Sequence, residues 1–528
     1  MLLPILIVII VPLLVVRTKA NPDLIVDLGY TQYEGKSSNG INQWLGMRYA
    51  APPTGDLRFR APQEPLAAPR QTAHQHGALC HSTPSTSLDP RTSEDCLFLD
   101  VYAPADKSVL HPVYFFIQGG GFNSLSNANL NGSSLIEAGD HDIVVVTFNY
   151  RVGPWGFLAS KEVKAGGDLN AGLLDQRKAL QWVQKYIHLF GGDPKHVTIG
   201  GDSAGAASVN LHLIAYGGRD DGLFHAAIGE SNSFGAQLTV EESQYQYDGL
   251  VQRTGCDKSP DTLKCLRDLD VEVIAKNNIN MPTPGGVPNG LPVFMYGNVI
   301  EGPGGFCENY TYNAYGSGNF IKVPVIFGGV SNEGTIFTPP NINTLTDMNN
   351  FLKNNWVKLS TGQLDQIDKF YPQDKTRYKG KGAWWSTAAT AYGEIRYNCP
   401  GIFLNDMYQN YGGGQTNWHY HWDVLTSANQ ASGLGVTHTE EMSSIWGSAT
   451  GVEGKLIPTI QSYWTSFIRT KDPNTYKLPS APAWAPFGPA MARLHFPNDP
   501  KNVGMEVVDP VQKDRCHYYR VISNMIGQ

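Results

Sequence analysis

The sequence predicts an α/β fold: one central, mostly parallel sheet flanked by helices, with large loop and helix insertions. Three observations carry this. Residues 113–117 (VYFFI) and 143–147 (IVVVT) are unbroken apolar runs of strand length, as expected of strands buried on both faces. Residues 173–190 place Leu173, Leu180, Val183, Ile187 and Phe190 on one face of a helix. The alternation then continues, with strands over 323–329 and 417–422 and helices over 461–474 and 511–526. Residues 24–33 read as a β-hairpin region, and residues 240–320 and 340–395 as insertions.

The chain has 528 residues. Length alone suggests about three domains. No Pro/Ser-rich linker, charge run or internal repeat divides it, so residues 21–528 are read as a single domain. Residues 1–16 are almost wholly apolar, broken by Pro4 and Pro12, and Arg17, Thr18, Lys19 and Ala20 follow. That run falls short of the roughly 20 residues needed to span a bilayer. It reads as a secretory signal over residues 1–20, cleaved near Ala20, leaving an extracellular protein with no integral membrane span. Because the charges follow the apolar run, a signal anchor stays open. Net charge is −7 with scattered basic residues, and no phosphate-cradling glycine loop is present, so nucleic acid is not an expected partner. Seven cysteines fit an oxidising compartment, and Asn131 and Asn309 head glycosylation sequons.

The chemistry centres on residues 190–205. Val197, Thr198 and Ile199 form a short β-branched strand, and small residues after position 203 begin a helix. Between them, Gly201-Asp202-Ser203-Ala204-Gly205 is a turn too tight for bulky neighbours. It leaves Ser203 strained, with its hydroxyl exposed near a helix N-terminus. A serine hydroxyl needs an adjacent base to act as a nucleophile at neutral pH. Gln118-Gly119-Gly120-Gly121-Phe122 follows the buried strand over 113–117 and leaves backbone N–H groups open toward a reacting atom. Glu333 and His438 each follow a predicted strand. Ser203, Glu333 and His438 therefore suit the roles of nucleophile, orienting acid and base, in the chain order Ser, acid, His.

With its flanks, the run over 190–205 resembles the serine signature of the type-B carboxylesterases, α/β-hydrolases that include cholinesterases, fungal lipases and esterases, and noncatalytic adhesion proteins. Residues 94–104 (EDCLFLDVYAP) resemble a second signature of that family. The chain is most similar to its secreted fungal carboxylesterases. The resemblance implies a Ser203–His438–Glu333 triad and an oxyanion hole formed by Gly120, Gly121 and Ala204. It implies disulfides Cys80–Cys96, Cys256–Cys265 and Cys399–Cys516, leaving Cys307 odd, and structural ion pairs Arg58–Glu94 and Arg151–Asp175. No cofactor or metal is expected, and the partner is a small-molecule ester. The chain departs from the family at Gln118, read as bracing its loop, and at Asn232, which touches the acyl side of the pocket and leaves the shape of that side undetermined. Asp202 stands where cholinesterases have Glu and reads as a hydrogen-bonding position.

The loop between Cys80 and Cys96 is short and polar, and no aromatic residue in it could hold a quaternary ammonium. The expectation is a carboxylesterase with an open pocket. The alternatives are a lipase or sterol esterase, a silent binding protein, and an enzyme whose acyl acceptor is an alcohol other than water.

Overall fold

The computed structural model describes residues 24–528 apart from 86, 87, 413 and 415, so the expected signal over residues 1–20 lies outside the described residues. The architecture rests on eleven strands of one sheet. In chain order they are β1 (Lys36–Ser38), β2 (Ile41–Arg48), β3 (Phe98–Pro104), β4 (His111–Ile117), β5 (Val144–Phe148), β6 (Gly192–Asp202), β7 (Ala226–Glu230), β8 (Val325–Val330), β9 (Asn417–Asp423), β10 (Ala492–Pro497) and β11 (Gly504–Val507). Their spatial order is β11-β10-β9-β8-β7-β6-β4-β5-β3-β2-β1. The seven strands from β5 to β10 run parallel, and the pairs at either edge are antiparallel.

The period of two along each strand sorts side chains to the two faces. On β4, Val113, Phe115 and Ile117 join one core, while Tyr114 and Phe116 join the other. β5 divides in the same way, with Val144 and Val146 opposite Val145. Helices α1 (Ala171–Tyr186) and α2 (Ala204–Gly218) cover the first face. Helix α4 (Ile457–Thr470) covers the second with Tyr463, Trp464 and Phe467. A third core joins the insertion over residues 340–395 to α3 (Cys399–Tyr411) and α5 (Pro510–Ile526).

Several boundaries move from their expected places. The helix expected over 173–190 ends at Tyr186; a 3₁₀ turn, Ile187–Phe190, tightens its exit, and Gly191 takes φ +89° to turn into β6. The strand expected over 197–199 extends from Gly192 to Asp202, because β4 and β7 pair along it. The helix expected over 461–474 starts one turn earlier and stops at Thr470, with Lys471 in the left-handed region. No helix among the described residues is long and apolar enough to cross a membrane.

The three disulfides expected from the resemblance are formed, and Cys307 is a buried free thiol. Arg58 forks onto Glu94 with two bonds of 2.6 Å. Arg151 forks onto Asp175 with two bonds of 2.7 Å.

Candidate active site

Ser203 stands between the end of β6 and the start of α2. Its φ of 54° and ψ of −117° put it in a strained region that a non-glycine residue adopts only when its surroundings hold it there. Those surroundings are visible. A Cβ on Gly205 would lie 1.8 Å from the Ile117 carbonyl oxygen, and one on Gly201 would lie 2.5 Å from the Gly205 backbone. The Ser203 N–H donates to the Glu230 carbonyl at the end of β7, at 2.9 Å.

His438 and Glu333 come from loops after β9 and β8. Glu333 is 1% exposed and His438 8%. The Glu333 carboxylate bonds to His438 Nδ1 through Oε2 and accepts the Val330 N–H at 2.9 Å through Oε1. Each loop is held by the other: the Asn332 N–H donates to the Val436 carbonyl and the Val436 N–H to Asn332 Oδ1. The Thr439 N–H reaches Ser231 Oγ at 3.3 Å, tying the His438 loop to the strand end that receives the Ser203 N–H. The imidazole packs against Tyr397, with ring centroids 4.3 Å apart, and against Phe337 at 5.1 Å. His438 Nε2 is buried and has no hydrogen-bond partner; the Ser203 hydroxyl does not bond to it in this state.

The glycine loop after β4 is anchored from below. Asp202 accepts the Gly119 N–H through Oδ1 at 2.8 Å and the Asn127 amide through Oδ2 at 2.7 Å. Burial pushes the Asp202 carboxyl up to about 6, against the pull of those bonds and of His438. Gln118 braces the loop, donating to the Phe148 carbonyl at 3.0 Å, and its own carbonyl accepts the Tyr150 hydroxyl at 2.8 Å. Gly120 and Gly121 have φ of +117° and +63°, where glycine is favoured. Among the described residues, the N–H groups of Gly120, Gly121 and Ala204 have no protein acceptor.

Beside Ala204 opens a cleft of about 970 Å³ of non-atom space, part of it open solvent. Phe122, Phe234, Phe294, Tyr296 and Arg396 are among its walls. Asn232 is not. It is fully buried, where it accepts the Asn210 amide at 2.9 Å and donates to the Gly229 carbonyl at 3.1 Å, so the departure at 232 supports β7 and α2 rather than shaping the pocket. Phe294, Phe337, Arg396 and Tyr397 escaped the sequence reading because they sit in or beside insertions without periodic pattern. Away from this site, ligand atoms of His421, His495 and Glu506 lie within 4.8 Å of one another, but Arg493 already bonds to Glu506 at 2.6 Å and Ser331 to His421 at 2.8 Å.

An α/β-hydrolase sheet with a strained serine, a paired histidine, a glycine loop and an adjoining cleft at its carboxyl edge defines the class as a hydrolase. The chain belongs to the carboxylesterase family, whose model matches residues 22–518, and is a carboxylic ester hydrolase. It is 40% identical to Aspergillus niger EstA, whose crystal structure superposes with a TM-score of 0.92 over 96% of this chain and 99% of that one. It is 30% identical to secreted lipase 4 of Gibberella zeae over 91% of this chain and 88% of the relative. It is 34% identical to lipase 1 of Geotrichum candidum over 68% and 71%.

Proposed function

We propose that this chain is a secreted serine carboxylesterase working through a Ser203–His438–Glu333 triad and a covalent acyl-enzyme. The observation that carries the reading is the buried His438 imidazole, bonded to Glu333 at Nδ1 and unpartnered at Nε2, on a loop tied to the strand end behind Ser203. In a free enzyme the nucleophile–base bond is commonly loose and tightens with substrate. Ser203 Oγ attacks the ester carbonyl carbon while His438 Nε2 takes its proton. The carbonyl oxygen, now an oxyanion, accepts the N–H groups of Gly120, Gly121 and Ala204. Collapse breaks the bond to the alcohol oxygen, which leaves with the proton from His438. Water then attacks the acyl-enzyme, gives its proton to His438, and the proton returns to Ser203 as the acid departs. Glu333 holds the tautomer and stabilises the imidazolium. A fluorophosphonate probe should label the wild-type protein and leave Ser203→Ala unlabelled; equal labelling of both overturns the assignment.

A second reading, a lipase or sterol esterase, draws on relatives named lipases. Against it stand the short polar loop between Cys80 and Cys96 and the open cleft. Preference for long acyl chains in a nitrophenyl ester series, with activation at an oil interface, would favour the lipase.

Secretion is supported by the apolar leader, the three disulfides and relatives named secreted. On this reading residues 21–528 form the mature single domain, and the exposed Asn131 and Asn309 carry glycans. N-terminal sequencing of protein from the culture medium should begin near Asn21; a retained leader would mean an anchor.

A further inference from the structure

We infer that the cleft beside Ser203 contains an anion subsite at Arg396, and that the enzyme prefers esters bearing a carboxylate, such as half-esters of short dicarboxylic acids. This rests on the esterase reading above and narrows its substrate class.

Arg396 lines the same cleft as Ala204 and is 9% exposed. Two other deeply buried arginines, Arg58 and Arg151, each fork onto a carboxylate. Arg396 has no carboxylate partner among the described residues, and its Nε is buried without an acceptor. Its guanidinium lies 4.8 Å from the Phe294 ring centroid and 5.8 Å from that of Tyr397. Its polar neighbours are the phenols of Tyr392 and Tyr397, which interact favourably with the guanidinium but, being neutral, supply no counter-charge. Ring faces and neutral hydroxyls attract a cation only modestly, and they leave Nε without an acceptor. A buried charge without a counterion is costly, and a bound carboxylate would supply both the charge and two parallel acceptors for the planar fork.

The position is built. A Cβ on Gly235 would lie 2.7 Å from Nη1 and 3.1 Å from Nη2, so the glycine lets the guanidinium sit where it does, and a larger residue would push it aside. Arg396 lies in a π-helical turn, Glu394–Asn398, between the helix Trp385–Gly393 and α3. Such turns recur at functional sites. The Phe234 N–H fixes the turn by donating to the Arg396 carbonyl at 2.8 Å.

The reach to the chemistry is short. The Phe294 ring occupies the space into which a Cβ on Gly121 would project, 2.1 Å from Cε1, and its face meets Arg396. On the other side the Tyr397 ring packs against His438, tilted by 44°. One aromatic ring thus separates the guanidinium from the oxyanion amide and from the imidazole, a span suited to a chain of a few carbons between ester and anion.

The test compares kcat/KM for charged and neutral partners at pH 7. Monomethyl and dimethyl glutarate place the charge on the acyl side; 3-acetoxypropanoate and its methyl ester place it on the alcohol side. In wild type at least one charged ester should exceed its neutral partner by tenfold or more. That ratio should fall at least tenfold in Arg396→Met, fall less in Arg396→Lys, and shrink as ionic strength rises. Free glutarate should inhibit wild type competitively and Arg396→Met weakly. No preference in either pair, or the same ratio in Arg396→Met, overturns the subsite and makes Arg396 a packing residue. The wild-type ratios and the glutarate inhibition decide the matter even if Arg396→Met does not fold. Failure of the esterase reading shows separately, as absent turnover of the neutral esters and absent labelling of Ser203.

Discussion

Ser203 is 7% exposed and its backbone is strained, so the proposed nucleophile owes its presentation to glycines that keep their Cβ atoms out of a crowded turn. The same reasoning gives the glycine loop sharp mutational consequences. Gly121→Ala would drive a methyl into Phe294 at a φ of +63°, displacing the amide proposed to bind the oxyanion. Its kcat on a short ester should fall by about 10²–10³-fold, the usual effect of losing one such donor. Glu333→Gln presents either an amide nitrogen or a neutral oxygen to His438 Nδ1, and kcat should drop on the order of 10³–10⁴-fold in steady-state assays, with stability little changed. Ser203, Glu333 and His438, the proposed triad, could be singled out in the sequence because short glycine-bearing loops after strands announce them. Arg396 and Tyr397 could not, since nothing local distinguishes a buried arginine with a carboxylate from one without.

At the scale of elements, the buried Arg151–Asp175 pair joins the loop after β5 to α1, and Asp175 is fully buried. Removing one member leaves the other charge unpaired in the core. Asp175→Ala should lose about 3–5 kcal/mol in urea unfolding, with the midpoint moving and activity per folded molecule retained. The Cys399–Cys516 bridge ties α3 to α5 across 117 residues. Replacing both cysteines with serine should cost roughly 4–5 kcal/mol if chain entropy dominates, read as a lowered Tm. Strand and helix identities were legible from apolar runs and periodicity. Their ends were not: pairing with β4 and β7 lengthened β6, and a 3₁₀ turn trimmed α1.

For the whole molecule, the carboxyl edge of the sheet gathers acids beneath the site. Asp202, Glu230 and Glu441 are buried, and burial raises all three, Glu441 to about 8 with a further push from Glu333. Glu441 accepts the Tyr420 hydroxyl at 2.6 Å, and Glu230 accepts the Trp464 indole at 2.7 Å. A group raised from about 4.5 to about 8 keeps its proton in the folded state where the unfolded chain has released it. Its contribution is therefore full below about pH 4.5 and is lost as pH climbs toward 8. Wild-type protein should melt at a higher temperature at pH 5 than at pH 8. Glu441→Gln should shrink that difference, and an unchanged difference would refute the assignment to this residue.

What the amino-acid order determined alone is whatever is encoded over short spans: the apolar strands, the serine turn, the glycine loop and the order of Ser203, Glu333 and His438. Composition and local sterics suffice for these. The tertiary structure decided what depends on distant segments meeting: the Glu333–His438 bond across 105 residues, Asn232 as a support and not a pocket wall, and the approach of Phe294 to Gly121 and of Arg396 to Phe294. Such meetings follow from how insertions pack on the sheet, and packing is a property of the whole chain rather than of any stretch within it.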